Sequence, residues 1–451
     1  MIGVSLSRWT MSYFAAALVA LVAAQVLMAA GYGYPNRPLA DPETLIVVHV
    51  VAIGWLSVLM CGALFQFVPV LVARPLADDR LPLPALLCLL AGLGALILGF
   101  LQLGGEIDAN PVYFPLAAAL LGCGFALALW TLGRTLWASR PLPLPARFVV
   151  GGLASVGATA ALGIVFALTL GGLAQNSHFL DLTNAGVPIH VVAGLGGWLT
   201  FTAMGVTYRL LAMFMLAPEL DRGSSRAALR LGASALALTI LGGAAAVCLG
   251  ASPDALQLAG AVLGLAAVAL YGGDIVHLYR ARKRRVLELN SRMAAFALVS
   301  LALGVVLIAV ALALGNLAAH AGPITFLLAF GWLTVLGLAQ MYKIVPFLTW
   351  LECYGPVIGK RPTPRVQDLV VERRAIKWFA LYVVAVWGGT VALLANSPAG
   401  FRTAAAAMLV ATLGLVVQMV RARRLADVKT PDRLPAGARM PHLLTSLPRH
   451  T

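Results

Sequence analysis

The chain has 451 residues, of which 61% are hydrophobic and 11% charged, and its mean hydropathy is +0.92. Soluble domains carry roughly 25% charge, so a water-soluble globule and a disordered chain are both excluded. A net charge of +15 would point to nucleic acid in a soluble protein; in a bilayer protein it reads as a basic inner face, and no nucleic-acid partner is implied.

The apolar runs are continuous and do not alternate, which argues against an outer-membrane barrel. Most reach the 20 or so residues needed to cross a ~30 Å hydrocarbon core. In chain order they predict twelve helical spans, near 9–32, 43–72, 82–103, 112–137, 147–173, 187–216, 226–250, 255–279, 292–315, 319–350, 376–395 and 400–421. Span 1 follows Arg8 and has the look of a signal peptide, but the repeat described next requires it as a helix. The loops are short. The longest polar stretches are 351–375 and a basic tail from 425 to 451, expected to be flexible. With the N-terminus inside, only Arg37 and Arg402 of the 32 basic residues fall on the outer side. Both termini are therefore expected in the cytoplasm, the protein in the inner (plasma) membrane, and the basic face against anionic headgroups.

Spans 2, 6 and 10 carry one pattern, anchored on Trp55, Trp198 and Trp332. A glycine precedes each tryptophan (Gly54, Gly197, Gly331), and Leu56, Leu199 or Leu333 follows. Then comes a hydroxyl residue: Ser57, Thr200 or Thr334. An aromatic stands ten positions after the anchor (Phe65, Tyr208, Tyr342), and a long polar residue eleven after (Gln66, Arg209, Lys343). Pro69 and Pro346 stand fourteen after. The anchors are 143 and 134 residues apart, about four membrane helices each. This predicts an all-α polytopic membrane protein of one domain over 1–424. It is built from three parallel four-helix repeats, near 1–140, 141–285 and 286–424, with pseudo-three-fold symmetry. A structural account of the motif stands beside any functional one. Small residues let membrane helices approach, hydroxyls bond back to the backbone, and Arg209 and Lys343 snorkel to the boundary. The GLGGW run at Gly194–Trp198 lies inside a membrane helix with no strand before it, so it is no dinucleotide fingerprint.

Three arcs of four helices with spans 2, 6 and 10 at the core resemble the haem-copper oxidase catalytic subunit (subunit I) superfamily, which includes the nitric oxide reductases. Span 2 is similar to the nitric oxide reductase large subunit in its His49, Trp55-Leu56, Gly62-Ala63 and Pro69. The resemblance implies that His49 is an axial ligand of a low-spin haem. The ligand set departs from the family elsewhere. The tenth-helix His-x-His positions are Ile324 and Phe326, and span 7 has no histidine, so the family's three-histidine copper centre has no counterpart.

Seven histidines are present. His442 and His450 lie in the polar tail, His277 at an inner helix end and His178 in an outer loop. His49, His190 and His320 all lie near the outer ends of the core spans. Counted at 100° per residue from the tryptophans, His190 and His320 share a face within about 40°, whereas His49 points about 120° away. A pair drawn from two helices is thus easier than a three-fold cage. The candidates are His49 and His320 as ligands of a non-covalent haem b, since no CxxCH motif exists, with His190 as alternative second ligand or copper ligand. Gly322 and Pro323 are expected to break the helix after His320. Met204, Met213 and Met215 lie toward the inner half and read as packing. The five cysteines form no metal spacing and read as buried apolar residues. The 17 acidic residues gather in loops and at helix ends, which gives no sign of a proton pump.

Two functions follow. One is a haem protein of electron transfer or gas (NO/O2) handling, served by a periplasmic electron partner and lacking the binuclear reductase site. The other is a non-redox carrier or metal-handling assembly factor on the same scaffold.

Overall fold

The computed structural model describes residues 8–429 and 433–446, which are helical with no strand among them. Twelve helices are long and apolar enough to cross a membrane: Thr10–Ala30, Pro42–Val72, Pro82–Leu103, Tyr113–Trp137, Leu144–Leu170, Val187–Met215, Gly223–Cys248, Asp254–Arg280, Leu289–Ala313, Leu317–Val357, Glu372–Leu394 and Pro398–Arg423. They are called spans 1 to 12. The ends follow local chemistry. Asp41 caps span 2 by accepting from the Glu43 N–H at 3.0 Å, with Pro42 at the first helical position. Ser397 caps span 12 in the same way ahead of Pro398. Gly31 closes span 1 in the left-handed region, φ 89°, where glycine pays no steric cost.

Span 10 is longer than its apolar run and continues through Gly322 and Pro323. The expected break does not occur. Membrane helices tolerate an internal proline when neighbours cover the freed carbonyl, and here the Tyr34 ring lies directly against Gly322, leaving no room for a Cβ.

The chain divides into two compact units. One comprises residues up to Leu39, Cys61–Gln66 and residues from Leu287 onward; the other comprises Ala40–Met60 and Phe67–Val286. His320 belongs to the first unit, and His49 and His190 to the second.

The three core spans share a feature the sequence does not announce. Each carries a π-helical segment across its tryptophan: Val50–Ser57, Val192–Phe201 and Leu327–Thr334. The motif hydroxyls serve these segments. Ser57 Oγ donates to the Ala52 carbonyl at 2.7 Å, and Thr334 Oγ1 to that of Ala329 at 2.8 Å. Both reach back five residues rather than the four of an α-helix. The glycine before the tryptophan is a point of close approach. In span 6 Gly197 abuts Ser155 of span 5; in span 10 Gly331 lies so near Ser300 of span 9 that an added Cβ would sit 2.9 Å from the serine Cβ.

The aromatic ten residues after each tryptophan packs edge-on against a ring of another span. Phe65 meets Tyr13 at 5.5 Å, Tyr208 meets Tyr271 at 5.3 Å and Tyr342 meets Phe379 at 5.9 Å, the T-shaped geometry that ring quadrupoles favour. The next residue is a cation in two cases and finds a carboxylate. Arg209 pairs with Glu219, and Lys343 with Glu288 at 2.6 Å.

Four cation–π contacts lie at helix ends that the basic-residue count assigns to the inside. They are Arg8 on Trp9, Arg134 on Trp130, Arg140 on Trp137 and Lys377 on Trp378, at 4.9, 5.3, 3.5 and 4.8 Å. Trp130 and Trp137 are largely exposed, as interfacial anchors are.

The cysteines are more varied than the sequence reading has them. Cys61 and Cys353 are buried, but Cys123 is exposed, and its Sγ lies 3.9 Å from that of half-buried Cys88. The interface of spans 3 and 4 brings them together. It is close because Gly92 and Gly124 each accept a leucine of the opposite helix.

Candidate haem and metal site

His49 ends the α-helical start of span 2, one residue before the π-helical segment. Its Nδ1 donates to the Leu45 carbonyl at 2.7 Å. In the neutral ring this assigns the proton to Nδ1 and leaves the Nε2 lone pair free. The Phe100 ring of span 3 lies 5.2 Å from the imidazole and tilted to it. His190 stands before the π-helical segment of span 6. His190 Nδ1 is buried without a hydrogen-bond partner. Phe166 lies 5.4 Å from the ring, and Gly163 faces it, where a Cβ would be in ordinary van der Waals contact with His190 Cε1 at 3.4 Å.

His190 thus has a buried Nδ1 without a partner, and His49 has one nitrogen tied to backbone and the other uncommitted. That is the arrangement by which outer partners fix tautomer and orientation of a ligating histidine. The angular count that separated them assumes an α-helix between histidine and tryptophan. The π-helical turns occupy that stretch, so the count does not hold.

His320 sits in the other unit, half-buried, with Nδ1 on the Asn316 carbonyl at 3.1 Å. At the two positions of the family's His-x-His pair, Ile324 and Phe326 are buried. Phe326 stacks on Phe330 at 5.0 Å and meets Phe401 edge-on at 5.2 Å. These positions are filled by packing. Among the described residues no three histidine, cysteine, aspartate or glutamate side chains gather as a metal site. His49 presents the uncommitted ring nitrogen that an axial ligand requires. His178, His277 and His442 are exposed; His450 lies outside the described residues. Phe100 and Phe166 are the ring neighbours that sequence reasoning missed, and ordinary residues in apolar spans give no signal for them.

Ser57 links the core helices of this unit. Besides bonding Ala52, it accepts from Trp198 Nε1 at 2.9 Å. Ser57→Ala leaves the indole N–H unpaired in an apolar interior and is expected to cost about 1 kcal/mol. Thermal unfolding in detergent, with Ser57→Thr as the variant that keeps the acceptor, checks this. Equal stability of the two variants contradicts it.

One buried carboxylate lies inside a span of this unit. Asp274 is 2% exposed and accepts from Tyr208 Oη at 2.9 Å and Ser224 Oγ at 2.5 Å. Its hydrogen bonds fasten spans 6, 7 and 8 near their basic ends.

No protein-family description matches the chain, and no curated protein matches it. A solved structure does: the cryo-EM structure of a haem-copper terminal oxidase dimer aligns over 97% of this chain and 85% of its own, with a TM-score of 0.61 and 12% identity. At that identity the likeness is one of fold, and the chain therefore has a haem-copper-oxidase-like arrangement of twelve membrane helices.

Proposed function

We propose that this protein is a haem-binding integral membrane protein of electron transfer or gas handling, with the membrane topology of an inner-membrane oxidase subunit and both termini in the cytoplasm. The observation that carries the proposal is His49, whose Nδ1 is held by the Leu45 carbonyl while Nε2 is free. A non-covalent b-type haem would take that nitrogen as axial ligand and would supply one-electron redox chemistry or a gas-binding iron. His190, in the same unit with Nδ1 uncommitted, is the better-supported second ligand, and His320 is the alternative. The residues' part is orientation and exclusion. The Leu45 contact fixes the His49 ring, and Phe100 and Phe166 line the two imidazoles with apolar surface that keeps water out. Histidines near the outer helix ends favour an electron partner on the periplasmic side.

The nearness of span 2 to the nitric oxide reductases belongs to this reading, but their reaction does not. Ile324, Phe326 and a histidine-free span 7 depart from the family's ligand set, so the pure protein is expected to show no sustained consumption of oxygen or nitric oxide with an artificial donor. Consumption by wild type that His190→Ala abolishes overturns this. A visible Soret band after mild purification tests haem binding itself. Its absence from protein made in haem-replete cells leaves the non-redox carrier or assembly factor as the reading.

A further inference from the structure

Span 8 is the least enclosed of the twelve, with 17% of its most apolar stretch buried inside the protein. Val262, Ala266, Ala269, Gly273, Val276 and Arg280 are all exposed, and steps of three and four residues put them on one helix face. A Cβ added at Gly272 or Gly273 meets nothing within 4 Å. Small residues between two exposed valines make this face a shallow trough along the hydrocarbon region, and nothing among the described residues covers it.

The trough ends in charge. Arg280 closes the same stripe, and Arg282, Lys283 and Arg285 follow it, all exposed. The loop is folded, because the N–H groups of Lys283 and Arg284 donate to the carbonyls of Leu216 and Met215 at 3.4 and 3.2 Å. The nearby acids are occupied: Asp221 by Arg226 at 2.8 Å, Glu219 by Arg209, and Asp274 by Tyr208 and Ser224. No carboxylate of the described residues pairs with Arg280, Lys283 or Arg285.

We propose that this face binds one anionic phospholipid from the leaflet at the basic end of span 8. Its phosphate lies among Arg280, Arg282 and Arg285, and an acyl chain runs in the trough at Ala266, Ala269 and Gly273. Charge decides the occupant. A second copy of the chain packed on this stripe in parallel would bring two Arg280 clusters together at the membrane boundary. An acidic soluble protein cannot enter the hydrocarbon region where the trough lies. A phospholipid supplies both the anion and the apolar chain, at the spacing that the membrane itself imposes. The proposal is independent of any haem.

The test is native mass spectrometry of the full chain in detergent with added phosphatidylglycerol or phosphatidylcholine, and with inorganic phosphate as competitor. Wild type is expected to retain one phosphatidylglycerol in preference to phosphatidylcholine, undisplaced by phosphate. A basic residue at the surface contributes about fivefold, so R280Q/R282Q/R285Q is expected to weaken retention on the order of 100-fold. Ala269→Trp, which fills the trough, is expected to lose the lipid with its helical content and melting unchanged. R134Q/R140Q, which removes basic residues from span 4 and the loop after it, is expected to retain it. The proposal fails if the triple variant binds as wild type does, or if R134Q/R140Q weakens binding as much. It also fails if phosphate displaces the lipid, if Ala269→Trp has no effect, or if wild type is a dimer that Ala269→Trp splits.

Discussion

Protein purified from haem-replete cells is expected to carry haem, and His49→Ala is expected to lose nearly all of it. Removing only a hydrogen-bond partner of a metal-binding histidine costs about 10–100-fold in affinity; removing the ligand itself should cost more. The ring's surroundings sharpen the expectation. Nδ1 is committed to Leu45, so an iron can take only Nε2, and His49→Gln, which keeps a polar group of similar reach, should not restore a histidine-ligated spectrum. His190→Ala then separates two forms of the site. If His190 is the second ligand, the variant keeps haem and its spectrum changes from six-coordinate to five-coordinate. If His320 holds that position, the same change appears in His320→Ala instead. Unchanged haem content and spectrum in His49→Ala, measured by pyridine haemochrome and visible absorption, refutes the proposal.

The twelve spans are legible in the sequence because a hydrocarbon core allows backbone polar groups almost no alternative to helix, and because each apolar run ends in charge, proline or glycine. The motif of spans 2, 6 and 10 is legible too, and its residue types foretell their contacts. Ser57 and Thr334 bond back to the helix, Gly197 and Gly331 admit a neighbour, and the three aromatics find rings. Geometry between the motif residues is another matter. Nothing in VVAIGWLS announces a π-helical segment, within which the Ser57 hydroxyl bonds the Ala52 carbonyl and accepts from the Trp198 indole. With the turn widened, an angular count from His49 to Trp55 has no basis. Cys88 and Cys123, 35 residues apart, meet because two glycines bring their helices together, a tertiary fact. At Ile324 and Phe326 the sequence shows apolar residues; only the structure shows that Phe326 packs on Phe330 and Phe401.

The second large effect concerns Arg423, at the basic end of span 12. Its composition makes the C-terminal tail look flexible, yet the described part of the tail, residues 433–446, is bound. Arg423 Nε donates to the His442 carbonyl at 2.7 Å, one terminal nitrogen to the Thr445 carbonyl at 3.1 Å and the other to Thr349 Oγ1 at 3.2 Å. The guanidinium also pairs with Glu352 at 2.7 Å, and these two side chains are only 3% and 5% exposed. Tyr354 Oη donates to the Arg433 carbonyl, Ser12 Oγ to that of Leu444, and the Ser446 N–H to that of Arg8. The tail is thus fastened to the same ends of spans 1, 10 and 12. Breaking a buried ion pair by removing one partner typically costs about 3–5 kcal/mol, because the other charge stays buried and unpaired. Arg423→Ala is therefore expected to lower the unfolding temperature sharply in detergent and to open the 433–446 segment to protease. The double variant Arg423→Met with Glu352→Leu removes both charges and should recover part of the stability. It cannot restore the bonds to the His442 and Thr445 carbonyls, so the tail should remain cleavable. That split distinguishes the two jobs of the arginine: neutralising Glu352 and anchoring the tail. If the double variant is as unstable as Arg423→Ala, the unpaired carboxylate is not the source of the cost. If neither variant exposes the tail to protease, the apolar cluster of Tyr354, Val357, Leu369, Leu425 and Val428 holds that end together without it.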